Sequence, residues 1–342
     1  MFMKWKFFDK IPVEGGVSYQ DLAASVGAQG EIVSRMGQML VSTGTLLQPK
    51  PGSVAHSRLS LRYKTGNSNG SAFAMLYDDF QPVFAKLPGF FGKYGPNLPV
   101  GKTNIPITFA SGADGKLTPW EVFAQQGTEH IEQFGLAMQA MTGYLWPHTG
   151  AYDFTWVGKY AATNPNRTLI IDVGGSFGHS LRANLVKYPN IPPGRCAVED
   201  REEMIPSITK AHANDPVMEN VQKVAADFHK EQPVKGALIY FIRRCLHDYD
   251  DNDCVNILKI LADSLPEDEP QARVLINEHI MTDPPDREVA AIDIIMMTWA
   301  SLERTVQQLE KLADRAGLVV IKVHRAGGSS LGVLECKKAS RS

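Results

Sequence analysis

The residues that could do chemistry lie where predicted strands end and the chain turns. An apolar run at 168–173 leads directly into Gly174 and Gly175, where a bare backbone lets another molecule approach closely. Acidic residues end the next two strands, in the pairs Glu199-Asp200 and Asp227-Phe228. Because the carboxyl ends of parallel strands share one edge of a sheet, we expect these groups to line a single ligand crevice.

The types of these residues favour a nucleotide-like ligand. A carboxylate at Asp200 can accept both hydroxyls of a ribose, while Asp227 can accept an adenine amino group and Phe228 can stack on the ring. A dinucleotide fingerprint needs a glycine where Val173 stands, and no lysine follows the loop as a phosphate-binding loop requires. For each acid taken alone, capping of the following helix stays an open alternative.

One histidine lies where a proton could be taken from a substrate. His247 follows the fourth predicted strand, and its side chain titrates near neutral pH. Glu278 ends the fifth strand, and Glu303 follows one helix later. Either carboxylate could hold the second ring nitrogen, which is the pairing of base and orienting acid that proton abstraction needs. On these residues alone, a purely structural histidine stays possible.

Alternating strands and helices position these groups after residue 156. Predicted strands cover 168–173, 195–199, 221–226, 237–242, 273–278, 318–323 and 331–336, and predicted helices include 254–265 and 305–316. Such alternation with apolar strands predicts a doubly wound, mostly parallel sheet. The last two strands are joined by only 326–330, so we expect one antiparallel hairpin in it.

The first 150 residues have a different pattern. Ser18 to Asp21 form a capping box, a second helix is predicted at 31–41, and a hairpin at 45–56 would complete a winged helix. Arg35 is the one cation of the would-be recognition helix, which argues against DNA binding and favours packing on a partner domain or subunit. Helical segments near 71–87 and 119–141 are rich in aromatic residues and Met, and they are candidates for lining an apolar pocket.

The composition limits the classes of molecule that the protein is expected to bind. Lys and Arg total 35 against 37 for Asp and Glu, so a net charge of -2 offers no surface for nucleic acid or an anionic membrane. No apolar run has the length of a membrane span and the start is unlike a signal peptide, so we expect a cytoplasmic protein. The four cysteines have no metal-ligand spacing, and no metal is predicted.

Several ordered motifs together resemble one enzyme family. They are Asp-Val-Gly-Gly-x-x-Gly at 172–178, Glu-Asp at 199–200, Asp-Phe at 227–228, Gln232-Pro-Val-Lys-Gly-Ala237, Leu246-His-Asp-Tyr249, Glu303-Arg-Thr305, His56-x-x-Leu-Ser60 and Thr118-Pro-Trp-Glu121. Their order resembles the S-adenosylmethionine-dependent O-methyltransferases of the plant caffeate type, and most closely the fungal secondary-metabolite branch. The resemblance implies an α/β fold with a Rossmann-like, mostly parallel seven-stranded sheet. It implies a winged-helix, substrate-lining and dimerisation domain at 1–150 and a cofactor domain at 151–342.

Carried over by position, the resemblance also implies site residues. Gly174 and Gly175 would approach the methionine end of the cofactor, Asp200 would hold its ribose, Asp227 and Phe228 its adenine, and Arg243 would be a further cofactor contact. His247 would be the general base, positioned by Glu278 and Glu303. Substrate contacts would come from Phe134, Met138, Met141, Asp293, Met296 and Met297. The chain departs from the family at Ser176 and Phe177, and it lacks the usual glycines before Glu303.

The activity that the resemblance implies is methyl transfer from S-adenosylmethionine to a hydroxyl of an aromatic, alkaloid or polyketide natural product, leaving S-adenosylhomocysteine. The alternative is a pericyclase-type fungal relative that keeps the cofactor pocket and methylates nothing. A homodimer is implied as well. Relatives usually carry further amino-terminal helices that interlock two subunits, whereas this chain begins almost at the winged helix, which weakens that expectation.

Overall fold

The computed structural model describes residues 1–144, 149–327 and 329–339. Two compact units make up the chain. The first comprises Met1–Ala85 and Trp120–Tyr144, and the second comprises Lys86–Pro119 and Leu145–Ser342. The segment 86–119, which the sequence assigned to the amino-terminal domain, therefore belongs to the second unit, while the predicted domain boundary at 150 stays a prediction.

The first unit begins with short helices and a small antiparallel sheet. The helices are α1 (Phe7–Lys10), α2 (Tyr19–Ala24) and α3 (Gly30–Ser42), and the strands are β1 (Val17–Ser18), β2 (Leu46–Leu47) and β3 (Ser53–His56). Strand β3 pairs with both β1 and β2. The side chain of Ser18 accepts a hydrogen bond from the backbone N–H of Asp21, which confirms the predicted cap. The elements follow the order predicted for a winged helix, and that assignment stays a prediction.

A long helical region follows. It consists of α4 (Ser68–Ala74), a π-helical stretch (Met75–Phe80) and α5 (Gln81–Tyr94), and further helices are α6 (Pro106–Ser111), α7 (Pro119–Gln125) and α8 (Thr128–Tyr144). The helical character predicted near 119–141 is confirmed, and it is divided between α7 and α8. The chain breaks between α7 and α8 at Gly127, whose φ of 94° is a conformation that glycine adopts readily.

The second unit is built on a mixed sheet. Its strands are β4 (Ile170–Val173), β5 (Cys196–Asp200), β6 (Gln222–Ala225), β7 (Ile239–Arg243), β8 (Arg273–Met281), β9 (Arg304–Thr305), β10 (Leu318–Arg325) and β11 (Leu331–Lys338). Their order is β10-β11-β8-β7-β4-β5-β6, and the two-residue β9 pairs with β8. Strand β11 runs antiparallel to β8 and β10, whereas β4 to β8 pair in parallel. The predicted doubly wound sheet with a terminal hairpin is confirmed.

Helices cover both faces of this sheet. They are α9 (Thr155–Thr163), α10 (His179–Lys187), α11 (Ile205–His212), α12 (Asp251–Ser264), α13 (Arg287–Met297) and α14 (Val306–Arg315). Neighbouring residues of β4 pack in different hydrophobic clusters. Ile171 lies in the cluster that contains Leu261 of α12, and Ile170 lies in the cluster that contains Leu181 of α10. Burial on both faces explains why the strand is an apolar run without alternation. None of the helices within the described residues combines the length and apolar character needed to cross a membrane.

Candidate active site

The glycine turn after β4 leaves no room for side chains. Gly174 has a φ of 64°, and a Cβ built on it would lie 3.0 Å from both Cys245 Sγ and the Phe228 ring. A Cβ on Gly175 would lie 2.7 Å from Cγ of Asp172. A Cβ on Gly175 would be closer than real Cβ atoms come to other atoms, and on Gly174 the positive φ and the tight contact both disfavour a side chain, so glycine suits both positions.

The predicted ribose and adenine acids lie at the ends of β5 and β6. Each oxygen of Asp200 accepts one backbone hydrogen bond, from Ser176 N–H and Arg201 N–H, both at 2.8 Å. A carboxylate has about four acceptor positions, so the group can still receive two hydroxyls. Asp227 accepts from the backbone N–H of His229 at 3.1 Å and pairs with Lys230.

Two further buried acids belong to this edge. Asp172 is 2% exposed and Glu199 is 1% exposed, and within the described residues Asp172 Oδ2 and Glu199 Oε1 have no hydrogen-bond partner. Burial raises the pKa of each carboxyl to about 7. Sequence reasoning did not include Asp172 among the site residues, although its position as the acid before the glycines was the available signal.

These orphaned oxygens give an independent test of the implied cofactor. S-adenosylmethionine carries a positive sulfonium and an ammonium group, and buried carboxyl groups that each keep one oxygen without a hydrogen bond suit such a ligand. Arg243, at the end of β7, is close enough to Asp172 to interact electrostatically, and burial together with the neighbouring Arg244 lowers its pKa to about 10. A guanidinium beside the same crevice suits the carboxylate of the methionine end. The residues present therefore fit the group.

His247, Glu278 and Glu303 form the second part of the site, which we call the His–Glu cluster. The three side chains are 6%, 2% and 4% exposed, and one ligand atom from each lies within 4.8 Å of the others. His247 lies on a short 3-10 turn, Leu246–Asp248, directly after β7. Its Nδ1 donates to Glu303 Oε1 at 2.9 Å.

Glu278 contacts the backbone of the turn that carries His247, and its role in positioning the histidine stays a prediction. Its Oε1 accepts hydrogen bonds from the backbone N–H groups of Cys245 at 3.0 Å and Leu246 at 2.9 Å. It therefore fixes the backbone of the turn before His247, and Glu303 binds the ring. The donor atoms of the cluster are also close enough to share a cation, although Oε1 of both glutamates is already engaged in hydrogen bonds.

Electrostatics favour an ion pair in the cluster. Burial alone would lower the pKa of His247, but the charge of Asp248 and the hydrogen bond to Glu303 outweigh it and raise that pKa to about 9. Burial opposes ionisation of Glu303, yet the hydrogen bond from His247 and its charge lower the Glu303 pKa. Burial raises the pKa of Glu278. The raised pKa of His247 and the lowered pKa of Glu303 both favour an imidazolium paired with a carboxylate.

The six predicted substrate residues lie on two helices. Asp293, Met296 and Met297 belong to α13, and Asp293 Oδ1 accepts the backbone N–H of Glu303 at 2.8 Å. Asp293 thus contacts the backbone of the His–Glu cluster at Glu303. Phe134, Met138 and Met141 belong to α8 in the first unit, where the Phe134 ring lies 6.0 Å from Trp120 and 5.2 Å from Phe123. The substrate role of all six stays a prediction.

Comparison with known proteins identifies the family. A family described as the O-methyltransferase domain matches residues 163–319. Methyltransferase cfoD of Aspergillus candidus is 43% identical over 343 aligned residues, which cover 99% of this chain and 84% of that protein. Methyltransferase pynC of Aspergillus niger is 34% identical, with 98% of this chain and 92% of that protein covered.

Solved structures share the fold at lower sequence identity. The crystal structure of OxaC in complex with SAH and oxaline has a TM-score of 0.85 at 23% identity and covers 99% of this chain and 83% of that one. A structure described as a pericyclic reaction enzyme has a TM-score of 0.82 at 21% identity, with coverage of 99% and 84%. The relatives confirm the resemblance that the motifs indicated. This chain belongs to the O-methyltransferase family, whose members take their methyl group from S-adenosylmethionine.

Proposed function

We propose that this enzyme transfers the methyl group to a hydroxyl oxygen of an aromatic, alkaloid or polyketide natural product, with His247 as the general base. The observation that carries the proposal is the buried hydrogen bond of 2.9 Å between His247 Nδ1 and Glu303. With Nδ1–H engaged by a carboxylate, Nε2 is the nitrogen that can take a proton.

A base must be neutral before it accepts a proton, whereas the pKa of His247 is raised to about 9. When bound, S-adenosylmethionine supplies the electrophilic methyl group and a positive charge, and a nearby positive charge lowers the pKa of an imidazolium. We therefore expect His247 to become an effective base only with the cofactor bound. Glu278 and Glu303 would keep the ring in place during that change.

The cofactor residues follow from the same proposal. Gly174 and Gly175 would approach the methionine end with Arg243 nearby, Asp200 would accept the ribose hydroxyls, and Asp227 with Phe228 would contact the adenine. The substrate set stays as predicted, namely Phe134, Met138, Met141, Asp293, Met296 and Met297. The buried Oδ2 atom of Asp172, which has no hydrogen-bond partner among the described residues, supports this arrangement because a cationic ligand would satisfy it.

His247→Ala is the direct test. We expect methyl transfer to fall by about 10² or more, the range for loss of a general base, while the dissociation constant for S-adenosylhomocysteine stays unchanged. Calorimetry measures the affinity, and mass spectrometry of the product measures the turnover. His324→Ala is the matched control, since His324 also lies 2.9 Å from a carboxylate, that of Glu335. Unchanged turnover in His247→Ala would remove His247 from the base role.

The acceptor is found by screening phenolic, indolic and polyketide hydroxyl compounds with the purified enzyme. A product that gains one methyl group, located on oxygen by NMR, supports the proposal. The likeness to a pericyclic reaction enzyme makes the alternative worth testing in the same screen. A product of unchanged mass but altered structure would establish that alternative, and a methyl group on nitrogen or carbon would contradict the hydroxyl acceptor.

We also infer that the amino-terminal elements form a winged helix used for packing, and that the enzyme is a homodimer. Large apolar side chains support this, because Ile32, Met39, Phe73 and Tyr77 of the first unit are 47%, 64%, 49% and 59% exposed. Light scattering after size-exclusion chromatography decides the oligomeric state, and a monomer at all concentrations would contradict the inference. Salt-dependent binding to DNA would instead support a regulatory role in which the winged helix binds DNA.

A further inference from the structure

Four successive backbone carbonyls around His247 are all bound by one short segment, residues 301–304. In order of the acceptors, Leu246 O accepts from Arg304 Nη1 at 3.0 Å, His247 O from Leu302 N at 3.1 Å, Asp248 O from Ser301 Oγ at 3.2 Å, and Tyr249 O from Arg304 Nη2 at 2.8 Å. The same segment carries Glu303, which binds the His247 ring. Backbone and ring of the histidine are thus fixed by one element.

Arg304 binds both ends of this turn. Its side chain is 2% exposed, and besides the two carbonyls its Nε and Nη2 donate to Asp251 Oδ1 at 3.1 and 2.9 Å. The backbone of Arg304 is itself anchored, because β9 pairs with β8 in the register Ile280↔Arg304. The guanidinium therefore links strand β8, which also carries Glu278, to the turn that carries His247.

We propose that Arg304 is a positioning residue for the reaction, which acts by fixing the His247 turn relative to Glu303. This inference rests on the proposed role of His247 as the base. Because Glu303 and Arg304 are adjacent, a shift of the turn away from Arg304 also lengthens the contact between Nδ1 and the Glu303 carboxylate. A misplacement of about 1 Å in a catalytic group can cost about 10² in rate.

Lysine cannot replace this guanidinium. Its single ammonium group cannot reach two carbonyls and a carboxylate with the planar, forked geometry that arginine has. Arg304→Lys thus keeps the positive charge but loses the bridge across the turn, so its effect separates geometry from charge.

The chain offers a matched control in Arg195. This residue also donates to three backbone carbonyls, those of Ala161, Asn164 and Arg167. It directly precedes β5, at the amino-terminal end of that strand, whereas the site lies at the carboxyl ends. Arg195→Lys therefore removes an equivalent structural contact away from the His–Glu cluster.

The experiment compares both variants by three readouts on the full chain. These are kcat, the affinity for S-adenosylhomocysteine, and the NMR titration midpoint of His247 in ligand-free protein with isotope-labelled histidine. We expect Arg304→Lys to lower kcat about 10- to 100-fold and to leave the affinity for S-adenosylhomocysteine within about twofold of wild type. The titration midpoint of His247 should move towards that of an ordinary histidine side chain. Arg195→Lys should lower the melting temperature and leave kcat and the midpoint unchanged.

Two results would overturn the proposal. One is a folded Arg304→Lys enzyme with wild-type kcat and midpoint, and the other is Arg195→Lys moving both to the same extent. If Arg304→Lys does not fold, Ser301→Ala removes one contact of the same segment, and an unchanged His247 midpoint there counts against the proposal. The titration needs no substrate, so it tests positioning even if His247→Ala shows that His247 is not the base.

Discussion

Replacing Glu303 by Gln tests the electrostatics of the His–Glu cluster most directly. The amide has nearly the shape of the carboxylate, and its oxygen can still accept the hydrogen bond from His247 Nδ1. The substitution therefore removes a charge from the cluster and keeps its contacts. We expect the pKa of His247 to fall and the pH dependence of folding stability to weaken.

The size of the effect follows from the raised pKa of His247. It lies at about 9 against an ordinary value of 6.5. This difference of about 2.5 units corresponds to about 3 kcal/mol of folding free energy, from 1.36 kcal/mol per unit. Because the folded-state pKa is the higher one, this stabilisation is fully present below pH 6.5 and is lost as the pH rises through 9.

Among the groups that raise this pKa against burial, the charge of Asp248 contributes most and the hydrogen bond to Glu303 comes next. An opposite charge at this distance typically shifts a pKa by about 1 to 3 units. We therefore expect the His247 midpoint in Glu303→Gln to fall by roughly one unit or more. The loss of stability between pH 6.5 and 9 should shrink by a corresponding amount of about 1 kcal/mol.

Two assays measure the change in ligand-free protein. NMR titration of labelled histidine gives the midpoint of His247, and urea unfolding at a series of pH values gives the free energy of unfolding. Glu335→Gln is the matched control, because Glu335 accepts a hydrogen bond from His324 at the same 2.9 Å outside the cluster. A His247 midpoint that stays near 9 in Glu303→Gln, or one that falls equally in Glu335→Gln, would refute the reasoning.

Two further substitutions test the cofactor loop and the core. Gly175→Ala places a Cβ 2.7 Å from Cγ of Asp172, so we expect it to weaken S-adenosylhomocysteine binding at least tenfold in calorimetry. Gly194→Ala is the control, because the nearest atom to its Cβ lies at 3.8 Å and the affinity should not change. Equal affinities of the two variants would contradict the close-approach argument. Leu261→Ala creates a cavity at a fully buried position in α12 and should lower the free energy of unfolding by about 2–5 kcal/mol, as measured by urea unfolding. A loss below about 1 kcal/mol would contradict this prediction.

Sequence patterns predicted the elements that carry the site. The strand predicted at 168–173 is observed as Ile170–Val173, and the helix predicted at 254–265 is observed as Asp251–Ser264 with Asp250 as its cap. Both have strong local signals, namely an apolar run buried on two faces and an amphipathic repeat preceded by a capping acid. The predicted clustering of His247, Glu278 and Glu303 followed from the rule that parallel strands end at one edge.

Contacts between residues that are far apart in the chain could not be predicted from the sequence. The residue type and position of Glu278 predicted a carboxylate near His247, but its hydrogen bonds go to backbone N–H groups of the turn. Which of two nearby acids reaches a ring depends on distances of a few ångströms between separate elements. Asp293 likewise binds the backbone of Glu303, a contact that no spacing in the chain indicates.

Ala300 explains how the chain manages without the family's glycines before Glu303. Its φ of 60° lies in the left-handed region, which costs a non-glycine residue roughly 1–2 kcal/mol. Such strain persists only where the surroundings fix the backbone, and here the next two N–H groups donate to Met296 O at 3.0 Å and to His247 O at 3.1 Å. The second of these bonds also holds the turn that carries the histidine. The contacts that position the proposed base therefore offset the strain, and the orientation of Glu303 does not require glycine.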